Sequence, residues 1–352
     1  MHNHRVLVAF IKLAVRFTTS EVVMVNVGLV GLGYWGPNLL RNLVTNRRAG
    51  RVVICDRDEG RLNRIGERFP NCERTLSFSE MVNSRDVDAV LIATDVSAHY
   101  PLAMEALAAG KHVFVEKPFA DTAEKAGEMA DKADSLGLVN MVGHTFLYSP
   151  PVIAIKGIVD SGELGDIRFI TSNRVNLGLH QKDVSVIWDL APHDFSMIFH
   201  WLDAEPTFVE AFGSGYVIEG IPDVAFVNLR FPCGAIANVQ VSWLAPSKLR
   251  KTVIVGSRKM LVYDDTEPYE KVKIYDKGVD VIEPETFGEY HLAYRTGDIH
   301  SPKLDSFEPL AVEMEEFLRC IETGSTPKTS GRSGLGVVRA LELADASLAS
   351  GR

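Results

Sequence analysis

Cysteine is scarce in this chain and scattered. The four cysteines stand at 55, 72, 233 and 320, with no C-x-x-C pair. That spacing offers neither a zinc knuckle nor a disulfide framework, and it suits a reducing cytoplasm. Basic charge is also in deficit: 37 Lys plus Arg face 46 Asp plus Glu, a formal balance of −9. A nucleic-acid partner calls for a basic face, so none is expected. The apolar stretch over residues 6–15 is interrupted by Lys12 and lacks a clean small-x-small cleavage site. It is too short to cross a bilayer as a helix, so no membrane partner is expected either. There is no internal repeat, no low-complexity tract and no metal-ligand cluster.

What is present begins at Met24. Residues 25–36 read Val-Asn-Val-Gly-Leu-Val-Gly-Leu-Gly-Tyr-Trp-Gly, and Pro37 follows. An apolar run thus ends in G-x-G-x-x-G at Gly31, Gly33 and Gly36. Such glycines permit a tight turn, close approach of a pyrophosphate, and close helix–strand packing. The helix predicted to follow, with proline near its first turn, would aim free N–H groups at the phosphates. A second apolar run, 51–55, ends at Asp56, twenty positions after Gly36. A carboxylate there would bond a ribose 2′-hydroxyl and repel a 2′-phosphate, which favours NAD over NADP. Because this domain starts naturally at Met24, residues 1–23 read as a dispensable N-terminal extension.

Apolar runs at 25–30, 52–55, 89–93, 112–115 and 138–142 are separated by helical stretches, including 97–109 and 122–136. Asp121 with Glu124 is a plausible capping pair for the latter, and Gly137 would close it. This alternation predicts an α/β domain over 24–148, a parallel sheet with helices on both faces. Ligands bind such sheets at the carboxyl ends of the strands. One rim should therefore gather Gly31 to Gly36 with Tyr34 and Trp35, Asp56 and Arg57, Thr94 to His99, Glu116-Lys117-Pro118 and His144. After Pro150-Pro151 the pattern changes. A helix at 153–159, a strand at 166–175 and a helix at 186–201 precede strand-like runs from 207 to 275. Runs of neighbouring strands predict an α+β domain on a largely antiparallel sheet over 149–352, serving substrate binding and oligomerisation. Residues 284–309 read as a long loop, and two helices near 309–322 and 334–349 close the chain.

Two places carry groups suited to chemistry. Lys117 follows a predicted strand, where its ammonium would lie beside a nicotinamide and bond a substrate hydroxyl; a surface lysine is the bland alternative. In Trp188-Asp-Leu-Ala-Pro-His-Asp-Phe195, Asp189 and His193 are four apart and share a face if helical. A carboxylate beside an imidazole can orient it as a general base for an alcohol proton. A purely structural Asp–His pair fits those residues equally well. Pro192 suggests that the segment begins irregularly. His99 is a candidate ribose contact. His144, Arg174 and Asn176 are candidate substrate contacts, with packing or solvation as the alternatives. Together these parts suit hydride transfer from a secondary alcohol.

The chain resembles the Gfo/Idh/MocA oxidoreductase family. The resemblance rests on Gly31-Leu-Gly-Tyr-Trp-Gly36, Ala93-Thr-Asp95, His99-Tyr100, Ala109-Gly-Lys-His-Val-Phe-Val-Glu-Lys-Pro118 and Asp189-Leu-Ala-Pro-His193. It spans roughly Met24 to the C-terminus. It implies an N-terminal Rossmann domain, an open antiparallel sheet used for dimer or tetramer contacts, and NAD as cofactor. It also implies Lys117 and His193 at the reacting carbinol, with Asp189 in support; which of the two takes the proton stays open. Asp95 stands where the family often has proline. Residues 188–194, 241–248, 259–265 and 294–298 are similar to the branch acting on nucleotide-linked sugars. That branch oxidises C3 of a UDP-N-acetylhexosamine, whose ketone is then aminated. Inositol or free-sugar oxidation, keto-sugar reduction with NADPH, and a non-catalytic NAD-binding regulator are the rival readings.

Overall fold

The computed structural model describes residues 24–178, 180, 184–282 and 291–350. The extension expected over 1–23 lies outside the described residues. The first strand, β1 (Val25–Val30), is followed by α1 (Gly36–Thr45), β2 (Ala49–Cys55), α2 (Glu59–Arg68), β3 (Glu73–Thr75) and α3 (Phe78–Asn83). Then come β4 (Ala89–Ile92), α4 (Val96–Ala108), β5 (His112–Glu116), α5 (Ala123–Leu136) and β6 (Asn140–Gly143). Among the described residues these strands form one parallel sheet in the order β3-β2-β1-β4-β5-β6. The order reverses between β1 and β4, so a crevice opens at their carboxyl ends. Strands β4 and β6 are buried on both faces, which is why they read as unbroken apolar runs.

Local chemistry sets the helix boundaries. Asp58 caps α2 by accepting from Arg61 N, and Ser77 caps α3 by accepting from Glu80 N. The cap of α5 is Thr122, which accepts from Lys125 N at 3.2 Å; Asp121, expected in that role, pairs with the Lys125 ammonium instead. Gly137 ends α5 with φ +65°, in the left-handed region that glycine enters without strain.

A 3₁₀ turn (Thr145–Tyr148) and α6 (Pro150–Asp160) lead to β7 (Ile167–Val175) and α7 (Val186–Leu202). Strands β8 (Phe208–Ser214), β9 (Val224–Arg230), β10 (Ile236–Ser242), β11 (Leu249–Gly256), β12 (Met260–Asp264), β13 (Val272–Ile282) and β14 (His291–His300) follow. The second sheet runs β14-β13-β12-β11-β7-β10-β9-β8. It is antiparallel except where β10 lies parallel to β7. Within the stretch 284–309 expected to be a loop, residues 291–300 form β14 and pair with β13; residues 283–290 lie outside the described residues. One face buries Ala237, Val239 and Val241 beneath α7. The register places Phe169, Phe208, Phe212, Phe226 and Ile236 together on the opposite face, where all five are exposed.

The last two helices, α8 (Pro309–Thr323) and α9 (Gly331–Ser350), do not stay with the second sheet. Phe317 of α8 packs edge-on against Phe114 of β5, and α9 lies against α5, β6, α7 and β8. The chain entering α9 bonds to the edge strand β6, Val142 N donating to Thr329 O at 2.7 Å. Helix α9 thus touches a strand of each sheet, β6 and β8. Among the described residues no helix is long and apolar enough to cross a membrane.

Candidate active site

The glycine loop builds a bare cradle. Gly31 turns the chain with φ +92°, and a Cβ there would sit 2.4 Å from the Ala93 carbonyl oxygen. A Cβ on Gly36 would lie 2.0 Å from the Gly31 oxygen, whereas one on Gly33 would meet no atom within 4 Å. The first two glycines thus close the turn, and the third leaves open space above the loop. Helix α1 starts here without a side-chain cap; Pro37 has no N–H and Asn38 N donates to Trp35 O at 2.9 Å, which leaves the Gly36 N–H at the loop. An open cradle at the uncapped N-terminus of this helix fits a dinucleotide pyrophosphate.

Around the cradle, Tyr34 and Arg57 are exposed, Trp35 partly so, and Thr94 is half-buried at the end of β4. Asp56 is buried. Its carboxylate accepts from Leu32 N at 2.8 Å and Asp58 N at 2.9 Å, and lies 3.2 Å from the Arg61 guanidinium. It therefore holds the loop in shape, just past the carboxyl end of β2.

Two expected cofactor contacts turn inward. The His99 ring is buried between the carbonyls of Pro118 (Nδ1, 2.9 Å) and Thr94 (Nε2, 3.1 Å), and burial pulls its pKa down. It ties the β4 and β5 loops together and has no face left for a ribose. The Glu116 carboxyl is buried over Gly143, where a Cβ would meet it at 2.8 Å. Burial pushes its pKa up to about 7. Glu313 on α8 is buried nearby, and burial, with the Glu116 charge adding, raises its pKa too.

Lys117 follows β5 directly and reaches across to the second lobe. Its Nζ lies 2.9 Å from the Asp189 carbonyl oxygen and 3.2 Å from Asp189 Oδ1. Pro192 sits inside α7, not at its start. Proline has no N–H for the carbonyl four residues back, which loosens the helix at this point. The carbonyl so freed is that of Trp188; the next one along, of Asp189, is the one that accepts from Lys117. Asp189 Oδ2 accepts from the Trp243 indole at 3.1 Å.

The expected Asp189–His193 pair is therefore not formed. Both Asp189 oxygens are used by Lys117 and Trp243, and His193 Nδ1 is buried without a partner. His193 packs edge-on against Phe146, with ring centroids 4.9 Å apart. Burial lowers its pKa well below the usual value, and the Lys117 and Arg174 cations lower it further. It rests as a neutral imidazole, the form a proton acceptor needs. The i, i+4 spacing was read correctly as one helix face, but the ammonium from the other lobe takes the carboxylate.

Arg174 is no free substrate cation. It is buried in an ion pair with Asp194, Nε to Oδ2 2.6 Å, and its guanidinium stacks 4.7 Å above the Phe146 ring. Phe146 thus stands between Arg174 and His193, so Arg174 supports the site from beneath. Its Nη1 is unpartnered. Asn176 leaves β7 half-buried, its backbone held by Ser242 O at 3.1 Å. His144 is buried at the end of β6, and its pKa is pushed down to about 3 by burial and by Lys117. Sequence reasoning missed Trp243 and His180, whose rings meet edge-on at 5.4 Å, as well as Asp194 and Glu313. Two of these carried a signal: Asp194 as an acid beside His193, and Trp243 as part of the stretch 241–248. Among the described residues no group of three or more His, Cys, Asp or Glu is placed to hold a metal ion.

Comparison with known proteins shows the family. Residues 25–144 match the profile of an oxidoreductase family with an NAD-binding Rossmann fold, and residues 152–262 match the GFO/IDH/MocA C-terminal domain. The chain is 25% identical to a scyllo-inositol 2-dehydrogenase (NAD(+)) of Bacillus subtilis, covering 86% of this chain and 88% of that protein. It is 27% identical to an inositol 2-dehydrogenase of Rhizobium meliloti, over 93% and 96% of the two chains. The solved UDP-N-acetylglucosamine 3-dehydrogenase GnnA of Acidithiobacillus ferrooxidans superposes with a TM-score of 0.77 at 24% identity, over 93% of this chain and 99% of that one. At that identity the likeness is one of fold. The chain belongs to the Gfo/Idh/MocA oxidoreductases, with an NAD-binding Rossmann domain joined to the family's C-terminal domain.

Proposed function

We propose that this oxidoreductase oxidises a secondary alcohol of a sugar-type substrate to a ketone with NAD, at the meeting point of Lys117 and His193. The observation that carries this reading is the convergence of the Lys117 ammonium from the first lobe and a neutral, unpaired His193 from the second. When bound, NAD supplies the hydride acceptor. Lys117 polarises the substrate hydroxyl, with Asp189 and Trp243 holding the ammonium in place. His193 takes the O–H proton as the C–H electron pair leaves as hydride. Lys117 and His193 could exchange these parts.

For the substrate we favour a UDP-N-acetylhexosamine oxidised at C3. The stretches 188–194, 241–248 and 294–298 support it, and the first two supply Asp189, His193 and Trp243. An inositol or another free cyclic polyol is the second reading, favoured by the full-length inositol dehydrogenases among the relatives. Mass spectrometry of UDP-N-acetylglucosamine incubated with protein and NAD separates them. Loss of two hydrogens with matching NADH absorbance supports the first. NADH from inositols alone supports the second, and no NADH from either class removes the dehydrogenase reading. We also infer a homodimer or homotetramer through the exposed aromatic face of the second sheet. A cytoplasmic setting suits the four free cysteines.

A further inference from the structure

Two arginines stand opposite each other on the covered face of the second sheet. The register pairs Arg250 of β11 with Arg174 of β7, next on that face to the buried Thr252–Ser172 pair. Like charges directly across a sheet are destabilising, so the arrangement calls for a reason. Arg174 is settled by Asp194, at 2.6 Å. Arg250 is not. Its side chain makes one hydrogen bond among the described residues, a long one of 3.4 Å from Nη1 to Asp265 Oδ2. The same carboxylate also takes the Lys271 ammonium at 3.2 Å and the Tyr263 hydroxyl at 3.3 Å. Arg174, Arg250 and Lys271 thus share two carboxylates. Nε and Nη2 of Arg250 are left without a partner, on a side chain that is 33% exposed. Its place is beside the reaction centre. The Arg250 guanidinium lies 5.9 Å from the centre of the Phe146 ring, and that ring meets His193 edge-on at 4.9 Å.

We propose that Arg250 is the anion fork of the substrate site, its free N–H groups gripping a carboxylate or phosphate of the substrate while Lys117 and His193 engage the hydroxyl. The inference rests on the dehydrogenase reading and adds a substrate class to it: a sugar that carries negative charge near the oxidised carbon, not a neutral polyol. A guanidinium suits this task because its planar N–H pair matches two oxygens of one anion. The incoming anion also supplies the negative charge that the three cations lack. Arg174 stays buried with Asp194 on the Phe146 ring and touches no substrate. A carboxylate on the sugar ring and the diphosphate of a sugar nucleotide offer the fork the same kind of oxygen.

The test is calorimetric binding to the NAD-loaded protein, with UDP-N-acetylglucosamine, its uronate counterpart and myo-inositol as probes. Wild type binds a charged probe, more weakly as salt rises. Arg250→Gln removes the fork and weakens that binding about ten- to a hundredfold. Arg250→Lys keeps the charge without the fork and recovers part of the loss. Equal losses for both charged probes assign the diphosphate as the recognised group. A loss confined to the uronate assigns the ring carboxylate. Wild-type affinity in Arg250→Gln, or a wild type that binds no charged probe, overturns the fork. Should Arg250→Gln not fold, Arg250→Lys decides: weakened binding supports the fork and wild-type affinity overturns it. NADH formation is followed alongside. Turnover that does not depend on Arg250 overturns the fork and leaves the dehydrogenase reading standing. Binding that depends on Arg250, with no NADH from any probe, overturns the dehydrogenase reading and leaves the fork.

Discussion

Replacing Lys117 by methionine removes the ammonium and keeps most of the apolar stem. At 3.2 Å from Asp189 Oδ1, the raw attraction in a medium of effective dielectric ~20 is about 5 kcal/mol. The two side chains keep 22% and 21% of their exposure, so solvent screens much of it. The expected loss of folding stability is about 1–3 kcal/mol. Turnover should fall much further, about a hundred- to ten-thousand-fold, because the group that polarises the hydroxyl is gone. NAD affinity should stay within a few-fold, since the glycine cradle is untouched. The ring of His193 gives an independent readout. After burial, Lys117 is the largest cause holding its pKa down. In Lys117→Met the His193 titration therefore moves up toward its ordinary value, and the acid limb of any residual activity moves to higher pH. NADH absorbance measures the first effect and histidine-ring NMR the second. Turnover within a few-fold of wild type, or an unmoved His193 titration, refutes the reasoning.

Four other substitutions probe the same structure. Gly33→Ala should fold like wild type and bind NAD at least tenfold more weakly, whereas Gly36→Ala should lower Tm outright, because its Cβ meets the Gly31 carbonyl at 2.0 Å; calorimetry with and without NAD tells them apart. Asp194→Ala should cost about 3–5 kcal/mol in denaturant unfolding, because it strands a buried Arg174. In His144→Gln, Tm should rise relative to wild type more at about pH 5 than at about pH 7.5. Wild-type stability is lost as pH falls from about 6.5 toward 3, where only the unfolded chain protonates this residue, by at most about 5 kcal/mol; Glu116, raised to about 7, acts in the opposite sense between 4.5 and 7 in both proteins. Phe226→Glu on the open sheet face should shift the molecule toward monomer in light scattering, with the fold retained.

Much of the first domain was legible because its strands are buried on both faces and stand out as apolar runs. Strand β1 falls where the sequence placed it, at Val25–Val30, and β4 and β5 do so within a residue. Three elements between β2 and β4 were not visible. Helix α2 is rich in arginine and acid, β3 is three residues long and largely exposed, and α3 is barely two turns. Strand β14 was hidden by charge and glycine, because much of it faces solvent. At the proposed site, motif and spacing singled out Lys117, Asp189 and His193. They did not find their pairing, because Lys117 comes from a different strand seventy-two positions away and only the fold brings it to Asp189. The same reason hid the bond of Trp243 to Asp189. His99 and Glu116 stand on the expected rim, but side-chain direction at a strand end or helix start is set by packing, and both turn inward.

The proposed reaction requires Lys117 and His193 to face one reacting carbon. A structure of the protein with NAD and its sugar substrate is the decisive test. One secondary hydroxyl should lie within hydrogen-bond reach of both Lys117 Nζ and a His193 ring nitrogen, with its C–H aimed at the nicotinamide. A substrate whose hydroxyls touch neither side chain contradicts it.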